Sequence, residues 1–245
     1  MLSENRKELS GCHSKFERPY LESPEIFRIK FTKTGNLRYI SHLDLQRTFH
    51  RVLVRAGIPM WYTKGFNPHA KLVFALPLPI GCESMCELAD LKTEREITED
   101  EIKAQLNTQL TDEMYILDVY RPDTKFADIM YAEYRIIISS PNLKPDTAEI
   151  VSKLFSSPLY MMKRTKSEEK EVNISDFIKS FEAFFKDGAL EIKTVLSAGS
   201  TANLNPEYLI AALKDRTDIF GCDALNCSYN IMRTRFYDRD MLEFR

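Results

Sequence analysis

Residues 41–59, SHLDLQRTFHRVLVRAGIP, constrain the fold more than any other stretch, because they specify one helix at both ends. Ser41 followed by Asp44 resembles a capping box, with Asp in place of the usual Glu or Gln. Leu45, Phe49, Val52, Leu53 and Ala56 fall at i, i+4, i+7, i+8 and i+11, which makes one core-facing stripe. Gly57 and Pro59 then end the helix in the expected order. Such a helix must lay its stripe on another layer, and the flanking segments supply one. Residues 26–33, IFRIKFTK, alternate so that Ile29 and Phe31 share a face and Arg28 and Lys30 the other, a strand with one solvated side. Thr34-Gly35-Asn36 is the turn between them.

Further strands are expected at 72–76, 86–92 and 114–121, with a minor one near 60–63. A second helix runs from the Thr98-Glu-Asp-Glu101 cap to about residue 110. The order β-α-β-β-α-β is the ferredoxin-like arrangement, an antiparallel sheet covered on one face by two helices. The order then repeats. Strands are expected at 129–139, 159–164, 189–196 and 227–237. Helices are expected at 146–155, capped by Asp146, and from Asn205-Pro206 to about 214. An inserted amphipathic helix is read at 175–185. The fold expected is therefore α+β, two tandem ferredoxin-like domains at 26–122 and 127–245, joined by RPDTKF at 121–126. Residues 1–25 lack the apolar core of a secretory signal and read as a polar, mobile leader; a cytoplasmic location is expected. No apolar run is long enough for a membrane span.

A net charge of only −2 hides a strong asymmetry. Residues 28–71 carry nine basic residues against one acid, Asp44, a local charge of +8. The remainder carries 25 basic and 35 acidic residues. A basic patch on an acidic body points to an anionic partner at one face. Arg47, Arg51 and Arg55 lie four residues apart, within about 80° of one another on a helix and away from the apolar stripe. Stacked like charges cost a few tenths of a kcal/mol per pair. Either the face is simply solvated or it is an anion site, and guanidinium groups match phosphate oxygens. Lys33, Arg38 and His42 border the start of the same helix, and His42 could serve as a general acid or base beside a phosphate. The segment KGFNPHAK adds Lys64, Gly65, Phe66, Asn67 and Lys71, a glycine- and proline-fixed loop mixing cations with an aromatic platform, as single-stranded nucleic acid would use.

No phosphate-binding P-loop, dinucleotide fingerprint, nucleophile elbow or zinc-protease motif is present. Five cysteines, at 12, 82, 86, 222 and 227, form no C-x-x-C pair and no cluster-ligating motif. They read as isolated thiols rather than disulfides or metal ligands.

FTKTGNLRYISHLDLQRTFHRVLVRAGIP and KGFNPHAKLVFALPLPIGCES resemble the radical-SAM-linked protein family, a bacterial domain of unknown function. The strong match covers about Phe27–Leu91, and NLNPEYLIAAL and RTRFY are also similar. His69 and Ala70 depart from the usual pattern of a small or basic residue followed by proline. The resemblance implies an accessory protein working beside a radical S-adenosylmethionine enzyme. With no such enzyme in this sequence, that partner is expected in trans. S-adenosylmethionine and an iron-sulfur cluster would then belong to the partner, and this chain would hold no cofactor. The expected function is non-catalytic binding of RNA or another phosphate-rich, ribosome-related substrate through the basic face. Two alternatives stand beside it: a metal-free RNA-processing endonuclease with His42 as base, and a protein-protein scaffold.

Overall fold

The computed structural model describes residues 20–63, 66, 68–164, 169–221 and 226–245; it is a mixed α+β fold built on a large, mostly antiparallel sheet with four helices. Strand β1 (Tyr20–Lys33) leads through a 3-10 turn at Gly35–Tyr39 into α1 (His42–Arg55). Then come β2 (Leu72–Phe74), β3 (Cys82–Arg95), α2 (Glu99–Asn107) and β4 (Ile116–Tyr120). The later half holds β5 (Tyr131–Ser139), α3 (Thr147–Phe155), β6 (Tyr160–Arg164), β7 (Glu169–Asn173), β8 (Ile178–Lys186), β9 (Ala189–Ser197), α4 (Glu207–Arg216) and β10 (Ser228–Tyr237).

In the first half the strands lie in the order β4-β1-β3, with β2 on the outer edge of β3, all antiparallel. In the second the order is β10-β5-β9-β8, again antiparallel. The halves meet where β10 runs parallel to β3, Ile231–Arg233 beside Cys82–Ser84, so one eight-stranded sheet runs through both. Strands β6 and β7 form a separate hairpin.

Helix α1 is fixed at both ends by local bonds. The Ser41 hydroxyl accepts from the Asp44 amide at 3.1 Å. At the other end Gly57 takes φ +70°, Ile58 N–H donates to Leu53 O and Gly57 N–H to Val54 O, which is the Schellman closure. Leu45, Phe49, Val52 and Leu53 are buried on Phe27, Ile29 and Phe31 of β1. Phe31, Phe49 and Phe74 pack ring to ring at 4.7–6.2 Å. Burying each is worth about 1.5–3 kcal/mol. Helix α2 has the full capping box of Thr98 and Glu101.

Four expectations change. The segment 175–185 is a 3-10 turn at Ile174–Phe177 followed by strand β8, not a helix. Its Phe181, Ala183 and Phe185 point inward by alternation, and Phe181 stacks on Phe155 at 4.6 Å. Strand 160–164 consequently leaves the main sheet and pairs with β7. β1 begins at Tyr20, inside the stretch read as a leader, whose residues 1–19 lie outside the described residues. Asp146 occupies the N-cap position of α3 but makes no side-chain cap bond; Thr147 instead accepts from the Lys144 amide.

The second face of β1 also differs. Arg28 is fully buried, because residues 238–245 fold back across it. Its Nε and Nη2 donate to the two Asp90 carboxylate oxygens at 2.7 and 2.9 Å. Nη1 donates to Thr124 Oγ1 and to the Arg245 carbonyl, and Nη2 to the Thr124 carbonyl. All five guanidinium donors are used, and Phe126 and Phe244 lie 4.3 and 5.2 Å from its carbon. Lys30 pairs with Glu243 at 3.3 Å on the same side. The alternation is as expected, but the second face is covered rather than solvated.

Candidate nucleic-acid interface

The exposed face of α1 carries Arg47, Arg51 and Arg55 on successive turns. Arg47 pairs with Asp44 at 3.2 Å, and both side chains are more than half exposed. The Ser41 hydroxyl and then Arg47 hold the Asp44 carboxyl below the usual carboxylate range. Among the described residues no carboxylate pairs with Arg51 or Arg55, so two solvated arginines project from Cα positions about 6 Å apart along the axis, at roughly 1.5 Å per residue. Leu43 and Val54, 53% and 64% exposed, complete this face.

Beside it runs the 61–71 segment. Its stem is tied to the sheet edge: Trp61 N–H donates to Lys92 O, Lys71 N–H to Trp61 O, and Met60 bridges Thr93. Tyr62 bridges Ala70, and Thr63 N–H donates to His69 O at 3.0 Å while Thr63 Oγ1 accepts from the His69 amide. The loop is thus closed at its neck, with Phe66 fully exposed beyond it and Lys71 exposed at its base. Lys64, Gly65 and Asn67 lie outside the described residues. Between loop and helix lies a depression of about 260 Å³, with His50, Leu53 and Val54 on one wall and Met60, Tyr62 and Pro68 on the other.

Other expected site residues are elsewhere. Lys33 is buried, not part of a surface: by alternation it follows Ile29 and Phe31 on the inward face, and it pairs with Ser84, where β10 joins β3. Its Nζ reaches the Arg38 carbonyl at 3.4 Å. Burial pulls the Lys33 ammonium below its ordinary pKa, against the opposing pull of Glu87. Glu87 itself faces Arg233 at 3.5 Å, both nearly inaccessible, at the seam where β10 meets β3. Arg38 is half-buried, its guanidinium 4.8 Å from the Tyr39 ring centre and its carbonyl accepting from Gly81 N–H. His42 packs edge-on against Phe74 at 5.5 Å and its ring Nε2 lies 3.1 Å from Gln46 Nε2. On the α1 helical wheel it sits well over 100° from Arg47 and Arg51, so the expected base is not beside the expected phosphate clamp.

The basic segment therefore divides in two. Arg28, Lys30 and Lys33 are structural, while Arg47, Arg51, Arg55 and Lys71 are at the surface. Cys82 and Cys86 are free, buried thiols, and burial pushes each up to about 12. Cys227 is a free, half-buried thiol; Cys12 and Cys222 lie outside the described residues. Among the described residues no group of three or more His, Cys, Asp or Glu side chains is placed to hold a metal ion. Among the described residues no helix is long and apolar enough to cross a membrane.

The model of the family described as "Uncharacterized protein conserved in bacteria (DUF2344)" matches residues 27–206, well over half of the chain. The chain belongs to the DUF2344 family. In this DUF2344 protein the matched region takes in the α1 face, the 61–71 loop and the buried Arg28. No curated protein matches the chain. Among solved structures it is similar to a Cbf5-Nop10-Gar1 complex, with 10% identity over 86% of this chain and 48% of that one and a TM-score of 0.46. It is also similar to an H/ACA RNP bound to a substrate RNA containing 2'-deoxyuridine, with 10% identity, 86% and 47% coverage and a TM-score of 0.46. A third is an unknown protein from Galdieria sulphuraria, at 10% identity, 86% and 99% coverage and a TM-score of 0.25. The chain spans about half the length of the first two.

Proposed function

We propose that this protein binds RNA through the exposed face of α1 and the base of the neighbouring loop, as a non-catalytic accessory component. The observation that carries the reading is the arginine stripe. Three guanidinium groups sit on successive turns, and only Arg47 has a carboxylate partner among the described residues. A purely solvated face would gain by interleaving acids at i+4, whereas a phosphate ladder needs the cations free. Exposed Tyr62 and Phe66 beside the stripe favour RNA over a featureless polyanion. Filter binding of a single-stranded RNA across a salt series tests it. Four contacting cations, Arg47, Arg51, Arg55 and Lys71, predict a slope of log K against log salt of about −3. No retention at low salt, or no slope, rejects the reading.

Each half is read as a ferredoxin-like unit, on the strand orders β4-β1-β3-β2 and β10-β5-β9-β8 with a hairpin inserted in the second. The accessory role beside a radical S-adenosylmethionine enzyme acting in trans is supported by the resemblance of the GNLRYISHLDL and GFNPHAK motifs alone. Co-purification after nuclease treatment tests it: recovery of such an enzyme supports the partnership, and its absence from repeated purifications counts against it.

A further inference from the structure

The depression between α1 and the 61–71 loop has no counterpart in a simple phosphate-binding face. Its volume, about 260 Å³, falls just below the roughly 300–1,000 Å³ usual for whole small-molecule ligands. It is large enough for one planar ring system and little else. Its walls are mostly apolar or aromatic, Leu53, Val54 and Met60 with Tyr62 and Pro68, and His69 joins them on the loop side. The His50 ring sits on the helix wall and makes no hydrogen bond to another described residue, so it can meet the polar edge of a heterocycle. Tyr62 is 42% exposed and Val54 64% exposed, so the mouth is open.

The depression is also placed against the arginine stripe. Arg47 lies one turn before His50, and Arg51 one turn before Val54. Two cations of the stripe therefore stand one turn from the residues that form the helix wall of the slot. That combination suits a molecule whose charge lies on a backbone and whose faces are planar and apolar. An apolar peptide side chain would use the slot and ignore the arginines. A duplex would use the arginines but keep its bases stacked out of reach.

We propose that this slot takes one unstacked base of a single-stranded RNA whose backbone phosphates lie on Arg47 and Arg51. The inference rests on the phosphate-binding role of α1 and adds a preference for strand state. The base enters between Tyr62 and Pro68 on the loop side and Val54 on the helix side, with His50 at its edge. Bridges from Met60 to Thr93 and from Tyr62 to Ala70 tie the loop-side wall to the sheet edge.

The test uses the full chain and two probes, a short fluorescein-labelled single-stranded RNA of mixed sequence and the duplex made from it, read by anisotropy. Tyr62→Ala removes the stacking wall, and Val54→Trp fills the slot; both positions are exposed enough for the fold to tolerate the change, with thermal midpoints as the check. Each variant is expected to weaken single-strand binding about tenfold and to leave duplex binding within twofold, in line with the loss of one base–aromatic stack. Equal weakening of both probes, or no weakening of either while wild type binds, overturns the base slot and leaves the phosphate face standing. If wild type binds neither probe, the phosphate reading and the slot fall together.

Discussion

Replacing Arg28 with Met separates structural from functional charge in the basic segment. The guanidinium is wholly inaccessible, and each of its five N–H groups has an acceptor within 3.0 Å. Met keeps the stem's length and loses every donor. Asp90 is left without its cation, and the carbonyls of Thr124 and Arg245 lose a partner. Removing one member of a buried pair costs about 3–5 kcal/mol. Asp90 is 22% exposed and recovers some solvation, so the lower end, about 3 kcal/mol, applies. With an m-value near 3 kcal/mol/M, the urea midpoint falls by about 1 M in circular dichroism. RNA affinity measured below the transition stays within twofold. A midpoint within a few tenths of 1 M of wild type, together with weakened RNA binding, would refute the assignment and return Arg28 to the binding surface.

Lys33→Met tests the other buried cation. Because burial lowers the Lys33 pKa in the folded state, its charged form costs stability at neutral pH, and that cost fades as pH rises through the folded value. The variant is therefore expected to melt at or above the wild-type temperature with RNA affinity unchanged, Glu87 keeping Arg233; a tenfold loss of affinity would contradict this. Ser41→Ala removes the α1 cap and is expected to cost about 1 kcal/mol in urea unfolding. Cys82 and Cys86 stay neutral in the fold to about 12, whereas unfolded thiols ionise near 9.0, so stability is unaffected below that pH and falls as pH rises from it toward 12. A disulfide reagent at about pH 8 should leave both unmodified until urea is added; rapid native labelling of either would contradict their burial.

What the sequence made legible was local. The α1 cap, stripe and Schellman stop, and the α2 capping box, are written within a dozen residues and fold as read. Residues 175–185 were misleading because Phe177, Ile178, Phe181, Phe184 and Phe185 satisfy a helical period while Phe181, Ala183 and Phe185 alternate as in a strand, and only packing on Phe155 and β9 decides. The two misplaced cations were illegible for a different reason. Arg28 is buried by residues 238–245, more than 200 positions away, and Lys33, on the face of Ile29 and Phe31, lies opposite Ser84 at a seam formed with the distant β10. The slot beside α1 was half visible. The Gly-Phe-Asn-Pro loop stood out, but His50 looked like any polar helical residue until the loop was laid beside it.

The arginine stripe is tested most directly by comparing salt slopes for single-stranded RNA between wild type and the Arg47→Ala/Arg51→Ala/Arg55→Ala variant. All three side chains are exposed, so the fold is expected to persist. At about 0.7 per contact on a single strand, losing three contacts lowers the magnitude of the slope by about 2, from about 3 to about 1. A slope unchanged by the triple substitution would show that the phosphate contacts lie elsewhere on the molecule.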